Sequence, residues 1–149
     1  MVGQFLFWLQ ECKKHVFVVA TANDVTLLPS ELLRRGRFDE IFFIDLPTTE
    51  ERTEMILMYF QRYLKITPTD QLLHDLAEIS EGFTGADIET TLREIAYREI
   101  ADHNFVINDQ LVVEVFKKVV PLSKTAPEKI ELVREWGKNR AVPASGDFS

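Results

Sequence analysis

Hydrophobic and polar positions divide the 149-residue chain into stretches of different rhythm. In the first stretch apolar residues come in short unbroken runs. Val16 to Ala20, inside "VFVVATAND", shows no alternation, and "EIFFIDLP" is a second apolar run that Pro47 closes. Such runs suit strands covered on both faces, as in a parallel sheet. Between them "PSELLRR" predicts a short helix, with Pro29 in its first turn and Gly36 ending it. Strand, short helix, strand reads as a βαβ unit or a piece of one. Ahead of it, Phe5, Leu6, Trp8 and Leu9 mark residues 4–13 as the end of an amphipathic helix.

After Pro47 the period becomes helical. Thr48 and Glu51 have the spacing of a capping box. The helix that follows carries Met55, Ile56, Tyr59, Phe60, Tyr63 and Leu64 as an apolar stripe. A second helix is predicted over 70–80, with Leu72, Leu73, Leu76 and Ala77. "EGFTG" is a turn, and Thr84 caps a third helix with Asp87 in its first turn and Ile88, Leu92, Ile95 and Ala96 on one face. Asn108 caps a fourth, carrying Leu111, Val112, Val115, Phe116 and Val119. Pro121 opens a tail with one more helix over 127–138 and a frayed end. The expected organisation is α/β plus all-α: a partial α/β core over 1–47, a four-helix unit over 48–120 and a tail over 121–149.

Composition narrows the classes. Net charge is -7 and the sequence pI is about 5.0, which disfavours a nucleic-acid footprint over the whole surface. No apolar run approaches a membrane span of roughly 18 residues. The single cysteine, Cys12, excludes an internal disulfide framework. Cys/His pairs at ligand spacing are absent, so no metal site is expected.

Two features of the first stretch carry candidate chemistry. Asn23 follows the first apolar run, where open α/β sheets bind ligands, and an amide there can hold a water by donating and accepting at once. Arg34, Arg35 and Arg37 crowd Gly36, and guanidinium forks match phosphate oxygens. Each has a bland reading. Asn-Asp after a strand is ordinary turn chemistry, and the arginines suit a solvated helix C-terminus. Asp39 pairs readily with one of them. Cys12 reads as a small buried hydrophobe; His15, His74 and His103 as dispersed structural or exposed groups; Trp8 and Trp136 as packing residues; and "KKVVPLSK" as a solvated face.

"VFVVATANDVTLLPSELLRRGRFDEIFFIDLP" resembles the second region of homology of AAA ATPases, in the order strand, sensor Asn, short helix, R-x-G-R-F-D, strand. "GFTGADIETTLREIA" resembles the sensor-2 helix of the family's lid in the form with Gly-Ala in place of an arginine, and the four-helix unit matches the lid in order and size. "VPLSKTAPEKIELVREW" with "AVPAS" looks like the C-terminus of the plastid and cyanobacterial type of AAA protein, the hypothetical chloroplast reading frame group. The resemblance implies that Asn23 orients the attacking water or the γ-phosphate, and that Arg34 and Arg37 reach the nucleotide of a neighbouring subunit. Gly85 and Ala86 would lie against the nucleotide, and Met55 and Tyr59 near the adenine, although apolar residues at that spacing usually belong to a core.

It further implies a homo-oligomeric ring, a hexamer among the sizes open, that hydrolyses ATP with Mg²⁺ to remodel a macromolecule, in the cytoplasm or the plastid stroma. The P-loop string G-x-x-x-x-G-K-[ST] and the carboxylate-ended strand that serves Mg²⁺ do not occur in these 149 residues. In the family both lie upstream of the helix with which these residues begin. The expectation is therefore the C-terminal part of a longer ATPase, inactive alone and binding neither ATP nor Mg²⁺ well. Two other readings stay open: a non-enzymatic helical interaction module or truncated ring subunit, and a small helical nucleic-acid binder, against which acidity and the lack of a basic recognition helix weigh.

Overall fold

The computed structural model of the chain describes residues 2–12, 15–32, 38–101 and 106–145. By their internal contacts they form two units: residues 46–128, and residues 1–45 together with 129–149.

The 46–128 unit is helical. Helix α2 (Thr49–Tyr59) starts as its sequence predicts. The Thr48 side chain accepts from the Glu51 amide, and the Glu51 carboxylate accepts from the Thr48 amide. Its last turn widens into a π-helical turn, Phe60–Leu64, closed by Lys65 in the left-handed region (φ 59°), whose amide donates to the Phe60 carbonyl. The continuous run carries Ile56, Phe60 and Leu64 into the core. Helix α3 (Asp70–Ile79) is capped by Thr69 and buries Leu72 and Leu76. Gly82, at φ 78°, turns the chain toward α4 (Gly85–Ala101); a β-carbon there would sit 2.5 Å from Ser123 Oγ. Helix α5 (Asp109–Lys118) is capped by Asn108, and α6 (Leu122–Thr125) is a single turn that the apolar pattern did not predict.

The α2 helix packs against α3 and α4, and α3 packs against α5. Ile56, Phe60, Leu76, Ile88, Leu92, Ile95 and Phe116 are fully buried, each stabilising the unit by about 1.5–3 kcal/mol. Phe83 and Phe116 stack at 6.2 Å. One charged group is enclosed with them. Arg52 is 6% exposed and donates to the carbonyls of Ala77 (2.9 Å) and Pro47 (3.0 Å), to Ser80 Oγ and to Thr49 Oγ1. A buried cation is tolerable only when its donors are satisfied in this way.

The other unit begins with α1 (Val2–Glu11), on which Phe5 and Trp8 stack at 6.1 Å. Strand β1 (Phe42–Phe43) pairs in parallel with β2 (Val142–Pro143), which follows helix α7 (Pro127–Arg140). Two expectations are corrected here. Residues 16–20 form no ladder; Phe17 is 93% exposed and Val19 76%. An apolar run becomes a strand only beside a partner with a free edge, and among the described residues the sheet has just β1 and β2. Conversely, within the end predicted as frayed the described residues include two that are tied down: the Val142 and Ala144 amides donate to the carbonyls of Ile41 (2.9 Å) and Phe43 (2.8 Å). Within the predicted 29–35 helix the described residues 30–32 form only a turn.

Candidate functional site

The predicted residues fall in both units. In the helical unit, the outer edge of α2 runs along the start of α4. Met55, Tyr59 and Tyr63 recur every four residues on one side, and Gly85, Glu89 and Arg93 do so on the other. Four-residue spacing keeps each set on one helical face. Met55 Sδ lies 3.5 Å from where a Gly85 β-carbon would stand, an ordinary contact distance. Tyr59 and Tyr63 stack at 6.0 Å, and the Tyr63 hydroxyl donates to Glu89 Oε1. The Arg62 guanidinium lies 5.4 Å from the Tyr63 ring centre. The hydrogen bond to Glu89, with burial behind it, pushes the Tyr63 hydroxyl above its ordinary pKa; burial, then the Glu89 charge, does the same for Tyr59.

Ala86 is exposed beside Gly85. The first turn of α4 already carries an anion: Asp87 Oδ2 accepts from the Thr84 amide and hydroxyl, both at 2.8 Å, while the Thr84 hydroxyl accepts from the Asp87 amide. A carboxylate there uses the positive end of the helix that a phosphate would otherwise seek. Met55, Tyr59 and Tyr63 are partly buried against the core of the unit. Sequence reasoning named Met55, Tyr59, Gly85 and Ala86 as site candidates and did not name Glu89 or Tyr63 among them. Their signal is the four-residue step onward from Gly85 and Tyr59.

In the α/β unit, Asn23 is exposed. Asp24 beside it makes the local turn, accepting from the Thr26 amide at 2.8 Å and from the Thr26 hydroxyl, and these bonds hold its carboxyl below the ordinary pKa. Val25 and Thr26 line a cleft of about 380 Å³ with Leu132, Glu135, Trp136, Asn139 and Arg140. Arg34 and Arg37 lie outside the described residues. A larger cleft of about 640 Å³, between α2 and α3, contains none of the predicted residues. Among the described residues no three acidic, histidine or cysteine side chains converge as metal ligands, and no helix is long and apolar enough to cross a membrane.

Residues 1–46 match the ATPase family associated with various cellular activities (AAA). The segment contains Asn23, the arginine cluster and β1, and the chain belongs to the AAA family. Over nearly its whole length it is similar to one kind of AAA protein. It is 38% identical over 144 residues to the AAA domain-containing protein ycf46 of Pyropia yezoensis, covering 96% of this chain and 29% of that protein. It is 41% identical over 140 residues to ycf46 of Guillardia theta, covering 90% and 26%. Over 105 residues it is 35% identical to the proteasome-activating nucleotidase of Saccharolobus solfataricus, covering 70% and 26%. The chain thus spans less than a third of the length of each of these relatives.

Proposed function

We propose that this chain is the arginine- and lid-bearing part of an AAA ATPase. In the complete protein, ATP hydrolysis with Mg²⁺ in a homo-oligomeric ring remodels a macromolecule, in the cytoplasm or the plastid stroma. Residues 48–120 serve as the four-helix lid. Met55 and Tyr59, with Gly85 and Ala86, border the adenine; Asn23 holds the attacking water; Arg34 and Arg37 reach the nucleotide of the neighbouring subunit. The observation that carries this reading is the meeting of Met55 with Gly85 beside stacked tyrosines, in a chain whose first 46 residues match the AAA family.

Arginine supplied by a neighbour has a direct physical use. Phosphoryl transfer spreads negative charge over the transferring oxygens, and a cation fixed there is worth about 10³–10⁵ in rate in GTPase systems. Supplying it from another subunit makes turnover depend on assembly. Mg²⁺ stabilises that charge when bound, but the residues described here offer no ligand set for it, and their part is confined to base contact, water positioning and charge.

The test has two stages. The 149-residue chain alone is expected to show no ATP turnover. Grafted in place of the matching stretch of the Pyropia yezoensis relative, it is expected to support hydrolysis that Arg37→Ala lowers by about 10³ or more. Hydrolysis by the graft that ignores both Arg34→Ala and Arg37→Ala would sink the proposal. The self-contained helical core favours a second reading, a non-enzymatic interaction module. A graft that assembles normally, yet neither binds nor hydrolyses ATP, selects it.

A further inference from the structure

Three contacts in the α/β unit converge on residues 41–45. The amides of Val142 and Ala144 hold the carbonyls of Ile41 and Phe43. Gly137 leaves the space that the Phe43 ring occupies; a β-carbon there would stand 2.8 Å from Phe43 Cγ and Cδ2. Arg134 Nε–H donates to both oxygens of Asp45, at 2.9 and 3.0 Å. One stretch, residues 134–144, therefore grips backbone, ring and carboxylate of another. The gripped stretch starts four residues after Arg37 (41 − 37) and ends three before the α2 cap, Thr48 (48 − 45). It lies on the chain path from the arginine-rich segment to the helical unit.

We infer that residues 134–144 form a releasable clasp on this path, with the Arg134–Asp45 pair as its latch. Release is built into the dimensions. The ladder is two residues long, and an isolated pair of strands is marginal in water. Phe42 and Val142 are exposed, at 62% and 45%, and add little cross-strand packing. The latch side chains are 28% and 24% exposed, so salt reaches them in part. The ion pair and the Phe43–Gly137 contact add to the hold. Closed, the clasp fixes the backbone of residues 41–45; open, it frees it. That the clasp sets how the arginine segment answers the helical unit rests on the ATPase reading; the clasp itself does not.

Amide hydrogen exchange on the 149-residue chain, without nucleotide, tests it. Arg134→Ala is expected to accelerate exchange at Val142 and Ala144 by roughly ten- to hundredfold, leaving the α2–α5 amides at their original rates. Reversing both charges, Asp45→Arg with Arg134→Asp, is expected to restore at least part of the protection. In the wild type, raising salt to about 1 M accelerates the same two amides. Unchanged rates in Arg134→Ala, loss of protection in the helical unit as well, or no recovery on charge reversal overturns the clasp. If Arg134→Ala does not fold, the salt response of the wild type decides, and its absence overturns the proposal. Since no nucleotide is present, these outcomes stand whatever Arg37 proves to do.

Discussion

The two units solve the burial problem by opposite routes. The 46–128 unit encloses its large side chains: Ile56, Phe60, Leu76, Ile88, Leu92 and Phe116 have no exposure. The unit formed by 1–45 and 129–149 leaves Phe17, Leu27 and Ile44 at 93%, 78% and 78% exposure. Helices close their backbone hydrogen bonds within themselves, so a few of them can complete a core from neighbouring sequence. Strands need partners for every edge, and those partners come from far along the chain. The helical unit is therefore a finished core, and the α/β unit is an open one held at a few points.

The sharpest way to break this contrast is to cut equal volume from each side. Phe60→Ala should cost about 3–5 kcal/mol in denaturant unfolding of the helical unit. Phe17→Ala should change stability by less than about 0.5 kcal/mol. Comparable losses would mean that Phe17 is enclosed in solution. Next comes the buried cation. Arg52→Leu strips donors from the Ala77 and Pro47 carbonyls and should destabilise the same unit by about 1–3 kcal/mol. Replacement without cost would show that water enters to satisfy them.

Two further effects sharpen the comparison. Gly137→Val must displace the Phe43 ring and should cost the α/β unit about 1–3 kcal/mol, with the near-ultraviolet signal of Trp136 as readout. Helical-unit unfolding should not move. The smallest effect is pH-dependent. Tyr63 and Tyr59 have raised pKa values in the folded chain, so folding favours their neutral forms. The sign follows: this stability is fully present below the ordinary tyrosine pKa, near 10, and is lost as pH rises through the higher folded values. Ultraviolet titration should place Tyr63 above an unfolded tyrosine, and Glu89→Gln should lower its midpoint. A Tyr63 midpoint indifferent to Glu89→Gln would remove the ladder between α2 and α4 as described.

How much was legible in the sequence follows the same division. The Thr48–Glu51 box, the Thr84 and Asn108 caps and the stripes of α2 to α5 are local signals, and the structure carries them. The π-helical turn at Phe60–Leu64 was not readable, because widening by one residue leaves the apolar order unchanged. The enclosure of Arg52 was not readable, since the carbonyls that accept from it lie up to 25 residues away. Strand pairing was misread in both directions. Val16–Ala20 has the composition of a buried strand without a partner, while "AVPAS" has the composition of a loose end with one. At the candidate site Met55, Tyr59, Gly85 and Ala86 were named through the family resemblance, not through their residue types. Glu89 escaped notice because a carboxylate on a helix surface is ordinary until a tyrosine hydroxyl is found on it.

The pairing of β1 with β2 also bears on the order in which the molecule assembles. Phe42 and its partner Val142 are 100 residues apart (142 − 42). Each doubling of a flexible loop adds only about 0.6 kcal/mol to the entropy of bringing its ends together, but a two-residue ladder has little enthalpy to set against even the first such term. Once residues 46–128 have folded, most of that loop is no longer flexible. The helical unit should therefore form first, so that a variant slowed in forming α2–α5 would delay the pairing of β1 with β2.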